Sequence, residues 1–209
     1  MREALQLPAS SVLLIGPTGS GKTPFGNYLE RYGIRGKRCF HFDFGQELRN
    51  IALNDSLPEG FDHNDQFFIR DVLEKGLLLE NEHFYIAGKI IHNFLTRKGF
   101  SNSDMLALNG LPRHTDQAKD MSDLVKIESL IILECEDKEV FARIQNNTGG
   151  DRTERYDDSF EMIRKKLEIF NKRTSRLIDF YSASGSDIFR IKVTGSSSAE
   201  QLYSEFLRL

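Results

Sequence analysis

Residues 11–30, SVLLIGPTGSGKTPFGNYLE, decide the fold of this chain. Residues 11–15 form a short apolar run, rich in leucine and β-branched side chains, that is typical of a buried strand in a parallel sheet. From residue 21 to 31 apolar side chains recur at helical spacing, and Gly33 is placed to close the helix. Pro24 is tolerated because the first turn of a helix has no internal N–H partner to lose. The stretch therefore predicts a strand, a glycine-rich bend and a helix.

The bend matches the P-loop pattern GxxxxGK[ST], with the residues Gly16-Pro17-Thr18-Gly19-Ser20-Gly21-Lys22-Thr23. Glycines let the backbone curl so that consecutive N–H groups point at a phosphate, and the following helix directs its positive end to the same place. Lys22 can reach the outer phosphates, and the Thr23 hydroxyl can ligate Mg²⁺. Because the motif lies between a predicted strand and a predicted helix, we interpret it as a binding site for ATP with Mg²⁺ rather than as a chance glycine turn.

The composition is that of a soluble globular protein: 209 residues, of which 39% are hydrophobic and 28% are charged. The formal net charge of −3 does not favour a nucleic acid or a membrane as partner. The first ten residues are too polar for a signal peptide, and no apolar stretch reaches membrane-spanning length. We therefore expect a cytoplasmic protein, with Cys39 and Cys135 as buried free thiols. No predicted helix shows a second apolar face, which favours a monomer.

Strands and helices alternate along the rest of the chain. The pattern predicts further strands at 38–41, 105–108, 129–135 and 188–193, and helices at 67–75 and 83–98. One long amphipathic helix is predicted across 160–181. A last helix is expected to start at the capping-box pattern from Ser197 to Glu200. Strands separated by helices predict an α/β domain with a mainly parallel sheet.

Three further stretches carry a family resemblance: HFDFGQELR at 41–49, GLPRHTDQAKDM at 110–121 and ERYDDSFEMIRKKLEIFNKRTSRLIDFY at 154–181. Together with the P-loop, and in this order, they resemble the nucleoside monophosphate kinases of the adenylate kinase family over nearly the whole chain. The resemblance implies a single P-loop kinase domain over 1–209, with a central parallel sheet flanked by helices. It further implies a small helical acceptor-binding insertion at about 43–98 and a short lid at 144–157. The implied reaction moves the γ-phosphoryl group of MgATP to a nucleoside monophosphate.

The resemblance also implies roles for particular residues. Arg49 and Arg113 would bind the acceptor phosphate, and Gln117 would read the acceptor base, in a pocket that also includes Phe44 and Gly110. Arginines suit such a site because phosphoryl transfer requires positioning and positive charge more than covalent chemistry. The implied roles fall into three further sets. ATP would be held by Gly16, Pro17, Thr18, Gly19, Ser20, Gly21, Lys22, Thr23 and Arg143, the metal by Thr23, and catalysis would use Lys22, Arg113, Arg155 and Lys166.

Several positions depart from the family pattern. Asn109 and Gln46 stand where aspartates are usual, Lys166 and Asn147 where arginines are usual, and Phe44 where adenylate kinases usually have a threonine. An amide can hydrogen-bond a metal-bound water but brings no charge to attract the cation. We therefore expect an acceptor other than AMP and a reduced turnover. The lid contains no cysteine quartet, so zinc is not expected there.

Two other functions stay open from the sequence. One is a nucleotide-binding protein that keeps the fold and the ATP site for regulation or partner recognition, which Asn109 and Gln46 motivate. The other is a P-loop kinase that phosphorylates a small substrate other than a nucleotide. Formation of a nucleoside diphosphate from ATP and a monophosphate would discriminate between these functions and the kinase implied by the resemblance.

Overall fold

The computed structural model describes residues 7–77, 79, 81–152 and 159–209. Within them, strands form one parallel sheet in the order β2-β3-β1-β4-β5. The strands are β1 Ala9–Ile15, β2 Cys39–Asp43, β3 Met105–Asn109, β4 Val125–Cys135 and β5 Asp187–Val193. This architecture confirms the predicted α/β fold with a central parallel sheet, and each predicted strand is present with bounds shifted by a few residues.

Helices connect the strands on both faces of the sheet. They are α1 Lys22–Tyr32, α2 Phe44–Leu53, α3 His63–Lys75, α4 Phe84–Lys98, α5 Thr115–Asp120, α6 Asp137–Gln145, α7 Phe160–Ile169, α8 Arg176–Ala183 and α9 Ala199–Phe206. The predicted helix at 67–75 starts four residues earlier. The reason is a capping box, in which the Asp62 carboxylate accepts from the Asp65 amide and the Asp65 carboxylate accepts from the Asp62 amide.

The prediction of one continuous helix across 160–181 is wrong at its middle. A π-helical turn, Phe170–Thr174, separates α7 from α8, and the Ser175 amide donates to the carbonyl of Phe170, five residues back. The turn contains neither glycine nor proline, so the sequence carries no breaker signal there. Such single turns often occur where a helix passes a functional site.

Two smaller expectations also change. The last capping box lies one residue later than predicted, between Ser198 and Gln201, because the Ser197 hydroxyl instead accepts from the Thr194 amide. Cys39 is buried as expected, whereas Cys135 is only half-buried at the end of β4. Both thiols are free.

Large apolar clusters lie on both faces of the sheet because the strands at its centre are apolar on both faces, and a smaller cluster of Val140, Ile163 and Leu167 joins α6 to α7. Along β4, Leu130 and Ile132 pack in one cluster, and Ile131 and Leu133 pack in the other. The first cluster includes side chains of α2, α4 and α8, and the second includes side chains of α1 and α9. Apolar residues of the segment 43–98 thus share one core with the sheet. None of the helices in the described part of the chain has both the length and the apolar character that crossing a membrane requires.

Candidate active site

A cleft of about 200 Å³ opens at the carboxyl ends of β1, β2 and β3. Most of the site residues expected from the resemblance line it. These are Gly16, Thr18, Gly19, Gly21, Lys22, Thr23, Phe44, Arg49, Gly110, Arg113, Gln117, Arg143 and Lys166. The side chains of Pro17 and Ser20 are not among the lining groups, and Arg155 lies outside the described residues. In open parallel sheets, ligands bind at the carboxyl ends of the strands.

The P-loop is held in a tight curl between β1 and α1. Gly19 and Gly21 have φ angles of 75° and 93°, in the left-handed region that favours glycine. The Lys22 ammonium donates to the carbonyl oxygens of Gly16 and Pro17, at 2.7 Å each. These bonds hold the lysine over the mouth of the loop.

The loop fits a polyphosphate in two further respects. Gly21 is the N-cap of α1 and has no side chain, so the first amides of the helix face the cleft without a side-chain cap. The buried hydroxyl of Ser20 has no hydrogen-bond partner among the described residues, which is a costly arrangement for a buried polar group unless a ligand satisfies it. The donor set is therefore that of an anion-binding loop.

Asp43 and Asn109 form a polar cluster with the last residue of the P-loop. The Thr23 hydroxyl donates to Asp43 Oδ2 at 2.6 Å, and the amide nitrogen of Asn109 donates to the same oxygen at 2.9 Å and to Thr23 Oγ1 at 3.1 Å. Burial alone would raise the pKa of Asp43. The hydrogen bond from Thr23, followed by His41, the Gln46 amide and the charge of Arg49, outweighs it and lowers the pKa. Asp43 is therefore a carboxylate at neutral pH.

The sequence prediction did not include Asp43 as a site residue. It ends β2 and caps α2, where its Oδ1 accepts from the Gln46 amide at 3.0 Å. Its register partner across the parallel pair β2–β3 is Asn109. The position of Asp43 at the end of an apolar strand was the sequence signal that could have identified it. Its contact with Thr23, however, depends on the order of the strands.

Below this cluster lies a buried histidine. His41 Nδ1 donates to the side-chain oxygen of Asn27 at 2.9 Å, and its Nε2 faces the amide nitrogen of Asn109 at 3.4 Å. Burial lowers the pKa of His41 more than the nearby Asp43 raises it, so the imidazole is neutral at pH 7. A neutral ring can accept from Asn109 while donating to Asn27.

The expected acceptor residues Arg49 and Arg113 line the same cleft as the P-loop. Arg49 donates to the Gln46 side chain at 3.0 Å, and its guanidinium lies beside Gly45. The guanidinium of Arg113 lies near Gly110. The structure thus brings these two arginines, 64 positions apart in sequence, to one cleft.

Gln117 and Phe44 are more deeply buried than the sequence suggests. Gln117 is 1% exposed; its amide nitrogen donates to the Leu79 carbonyl at 2.5 Å, and its oxygen accepts from the Arg113 amide at 2.8 Å. Phe44 is 5% exposed and stacks on Phe42, with ring centroids 6.1 Å apart. Both side chains reach the cleft edge, but most of their contacts fix the local backbone and core.

Arg143 connects the P-loop to the loop between β5 and α9. Its guanidinium donates to the Gly19 carbonyl at 3.0 Å, and to the carbonyls of Thr194 and Ser197 at 2.8 Å each. A second arginine also contacts the P-loop: Arg152 donates to the Thr18 hydroxyl at 3.3 Å. The sequence did not predict this contact. The described part of the expected lid therefore lies directly over the P-loop.

The sheet, the glycine loop after β1 and the cleft at the strand ends give the chain the P-loop kinase fold. No protein-family model matches it. It is 23% identical to an adenylate kinase of Haloarcula marismortui, over 93% of both proteins, and 27% identical to an adenylate kinase of Synechococcus sp. strain WH7803, over 91% of this chain and 93% of that protein. It is also 23% identical to UMP-CMP kinase 1 of Oryza sativa subsp. japonica, over 93% of this chain and 71% of that protein.

The solved structure of a sugar kinase from Janibacter sp. HTCC2649 aligns with 96% of this chain and 94% of its own. The TM-score is 0.51 at 12% sequence identity, so this likeness concerns the fold alone. The sequence relatives confirm the resemblance drawn from the motifs: over most of its length the chain is similar to nucleoside monophosphate kinases of the adenylate kinase family.

Proposed function

We propose that this protein transfers the γ-phosphoryl group of ATP, bound with Mg²⁺, to a nucleoside monophosphate, giving ADP and a nucleoside diphosphate. The observation that carries the proposal is that one cleft is lined both by Lys22 with the P-loop and by Arg49 and Arg113. Two polyanions held face to face in such a cleft are what phosphoryl transfer between nucleotides requires. Relatives that are named adenylate kinase and UMP-CMP kinase support the same class of reaction.

On the donor side, the backbone from Gly16 to Thr23 would hold the triphosphate. Lys22 would turn from the loop carbonyls towards the outer phosphates, and Arg143 would fix the loop and flank the donor base. Thr23 would take part in holding Mg²⁺. Mg²⁺, when bound, would supply positive charge that stabilises the negative charge of the transferring group.

On the acceptor side, Arg49 and Arg113 would hold the monophosphate in line with the donor. Gly110, with a φ of 86°, would form the turn beside Arg113, and Phe44 and Gln117 would shape the base pocket. Lys166, which lines the cleft from α7, would stabilise the transferring charge together with Arg155. This work is electrostatic and requires no general base.

Two segments would close over the bound nucleotides. We assign acceptor binding to 43–98, which contributes α2, α3 and α4, and we assign the role of a lid to 144–157. Closure would keep water from competing with the acceptor. The contact of Arg152 with Thr18 supports a lid at this place, because it joins the described end of that segment to the P-loop.

The direct test is a screen of acceptors. The protein is incubated with ATP, Mg²⁺ and each of AMP, CMP, UMP, GMP and their deoxy forms, and nucleoside diphosphates are measured by chromatography. We expect product with at least one acceptor. Binding of ATP without transfer to any of them would replace this proposal with the regulatory function, and transfer to a small non-nucleotide alcohol instead would favour the third function.

The placement of Arg113 has its own test. Arg113→Ala should lower kcat/KM for the acceptor by about 100-fold, because one preorganised donor to the reacting phosphate is lost, while the Kd for ATP changes less than about twofold. Arg176→Ala is the matched control, since Arg176 is exposed on α8 and outside the cleft lining. Equal losses of acceptor use and ATP binding in Arg113→Ala would contradict the assignment.

A further inference from the structure

Asp43 is a carboxylate that lines the cleft and is hydrogen-bonded to the P-loop threonine. Its Oδ2 accepts from the Thr23 hydroxyl at 2.6 Å, and its register partner on the next strand is Asn109, an amide. We propose that Asp43, and not the residue at 109, supplies the negative charge of the divalent-cation site that accompanies the triphosphate. The inference rests on the proposed function, since it concerns the cation bound with ATP.

The hydrogen bonds orient Thr23 for this role. The Thr23 hydroxyl donates its hydrogen bond to Asp43, so its oxygen can only accept from other groups. One of its lone pairs accepts from Asn109 at 3.1 Å. The remaining lone pair is a hard oxygen ligand of the kind that Mg²⁺ prefers. Asp43 therefore fixes the direction of the Thr23 oxygen and places a full negative charge beside it.

Asn109 positions this carboxylate without adding charge. A carboxylate only accepts, so the amide nitrogen of Asn109 must face it, as it does at 2.9 Å. Asp43 thus places a carboxylate beside Thr23, and Asn109 orients it without adding charge.

Capping of α2 does not account for these contacts. The cap uses Oδ1, which accepts from the Gln46 amide at 3.0 Å, whereas Oδ2 carries the bonds from Thr23 and Asn109. Asparagine is as good an N-cap as aspartate. Asp43→Asn thus keeps the cap and the volume and removes the charge. Its NH2 group takes the place of Oδ2, so Asn109 must turn its amide oxygen towards residue 43.

The test measures the Kd of ATP by calorimetry, once with excess Mg²⁺ and once with EDTA. The readout is the ratio of the Kd in EDTA to the Kd in Mg²⁺, and not turnover. In the unsubstituted protein we expect Mg²⁺ to tighten ATP binding by about tenfold or more. In Asp43→Asn the ratio should fall to about twofold or less, with EDTA-state affinity equal or tighter because a negative charge near the phosphates is gone. The exchange variant Asp43→Asn/Asn109→Asp should recover a large part of the ratio.

Asp71→Asn is the control, an exposed aspartate on α3 whose change should leave the ratio as it is. A ratio in Asp43→Asn equal to that of the unsubstituted protein overturns the inference. If Asp43→Asn does not fold, Asp43→Glu and Asp43→Ser replace it, with the Mg²⁺ effect retained in the first and lost in the second. Absence of ATP binding in both conditions would instead refute the proposed function.

Discussion

His41 packs directly against α1, beneath the polar cluster of Thr23, Asp43 and Asn109. It is 7% exposed and packs on Gly26 of this helix, beside its hydrogen-bond partner Asn27. A Cβ at Gly26 would overlap the imidazole ring. The absence of that one methyl group therefore lets His41 sit where it can accept from Asn109, and so it affects the orientation of the groups that face the cleft.

Gly26→Ala should destabilise the protein although alanine favours helix. The helix propensity of alanine would contribute about 1 kcal/mol, but overpacking against a buried ring costs about 1–3 kcal/mol and moves His41. Gly88→Ala in α4 is the matched control, because a Cβ there meets only Leu124 Cδ1, at 3.7 Å. Urea unfolding should show Gly88→Ala more stable than the parent by up to about 1 kcal/mol and Gly26→Ala less stable. The opposite order of the two variants would contradict this account of the packing.

Helices α3 and α4 are joined by a buried carboxylate. Asp65 accepts from Lys89 at 2.8 Å and from the Tyr85 hydroxyl at 3.0 Å, both on α4, while it also closes the capping box with Asp62. Burial alone would raise the pKa of Asp65, but the hydrogen bonds from Lys89, Tyr85 and the Asp62 amide lower it below its ordinary value. The orientation of these two helices in the proposed acceptor segment thus depends on one ionised side chain.

The sign of the pH effect follows from that lowered pKa. The unfolded chain takes up a proton at Asp65 at a higher pH than the folded chain does, so this stabilisation is complete above about pH 5 and is lost as the pH falls towards 3 and below. Asp65→Asn should lower the free energy of unfolding by about 1–2 kcal/mol at neutral pH, and its difference from the parent should shrink in acid.

Asp71→Asn on the same helix provides the comparison. Its partner Lys75 lies one turn away, and both side chains are exposed, so the loss should be below about 0.5 kcal/mol. Chemical denaturation at several pH values measures both variants. A difference between Asp65→Asn and the parent that stays constant between pH 7 and 3 would show that the charge of Asp65 is not what joins the helices.

Local patterns predict the strand–loop–helix unit well, because every signal for it lies within 20 consecutive residues. The π-turn at Phe170–Thr174 has no such signal, and it is stabilised by contacts from elsewhere, including the bond from the Thr174 hydroxyl to the Arg113 carbonyl at 3.0 Å. The family resemblance predicted Arg49 and Arg113 as site residues, whereas Asp43 was not predicted. Its partners Thr23 and Asn109 are 20 and 66 positions away, and only the strand order brings them together.

The whole fold protects Cys39, which lies in the core cluster that β2 shares with α1 and α9. Burial raises the pKa of the Cys39 thiol to about 12, and burial also raises the pKa of Cys135 to about 11. Both are protonated and weakly nucleophilic at pH 8. Cys135 is half-buried and should react slowly with a disulfide reagent in the native protein, while Cys39 should react only when the molecule unfolds globally.

Nucleotide binding should therefore slow the labelling of Cys39 from a distance. A ligand that binds only the folded state, at 100 times its Kd, adds about 2.7 kcal/mol, which reduces the unfolded population and the labelling rate of Cys39 by about 100-fold when refolding is faster than reaction. Mass spectrometry of each cysteine peptide, with and without ATP and Mg²⁺, measures the two rates separately. The half-buried Cys135 is the internal control, because its labelling through local motion should change less. In the native protein, Cys39 could instead be labelled as fast as Cys135, at a rate that nucleotide does not change. This result would show that β2 opens locally and that the sheet does not unfold as one unit with the P-loop.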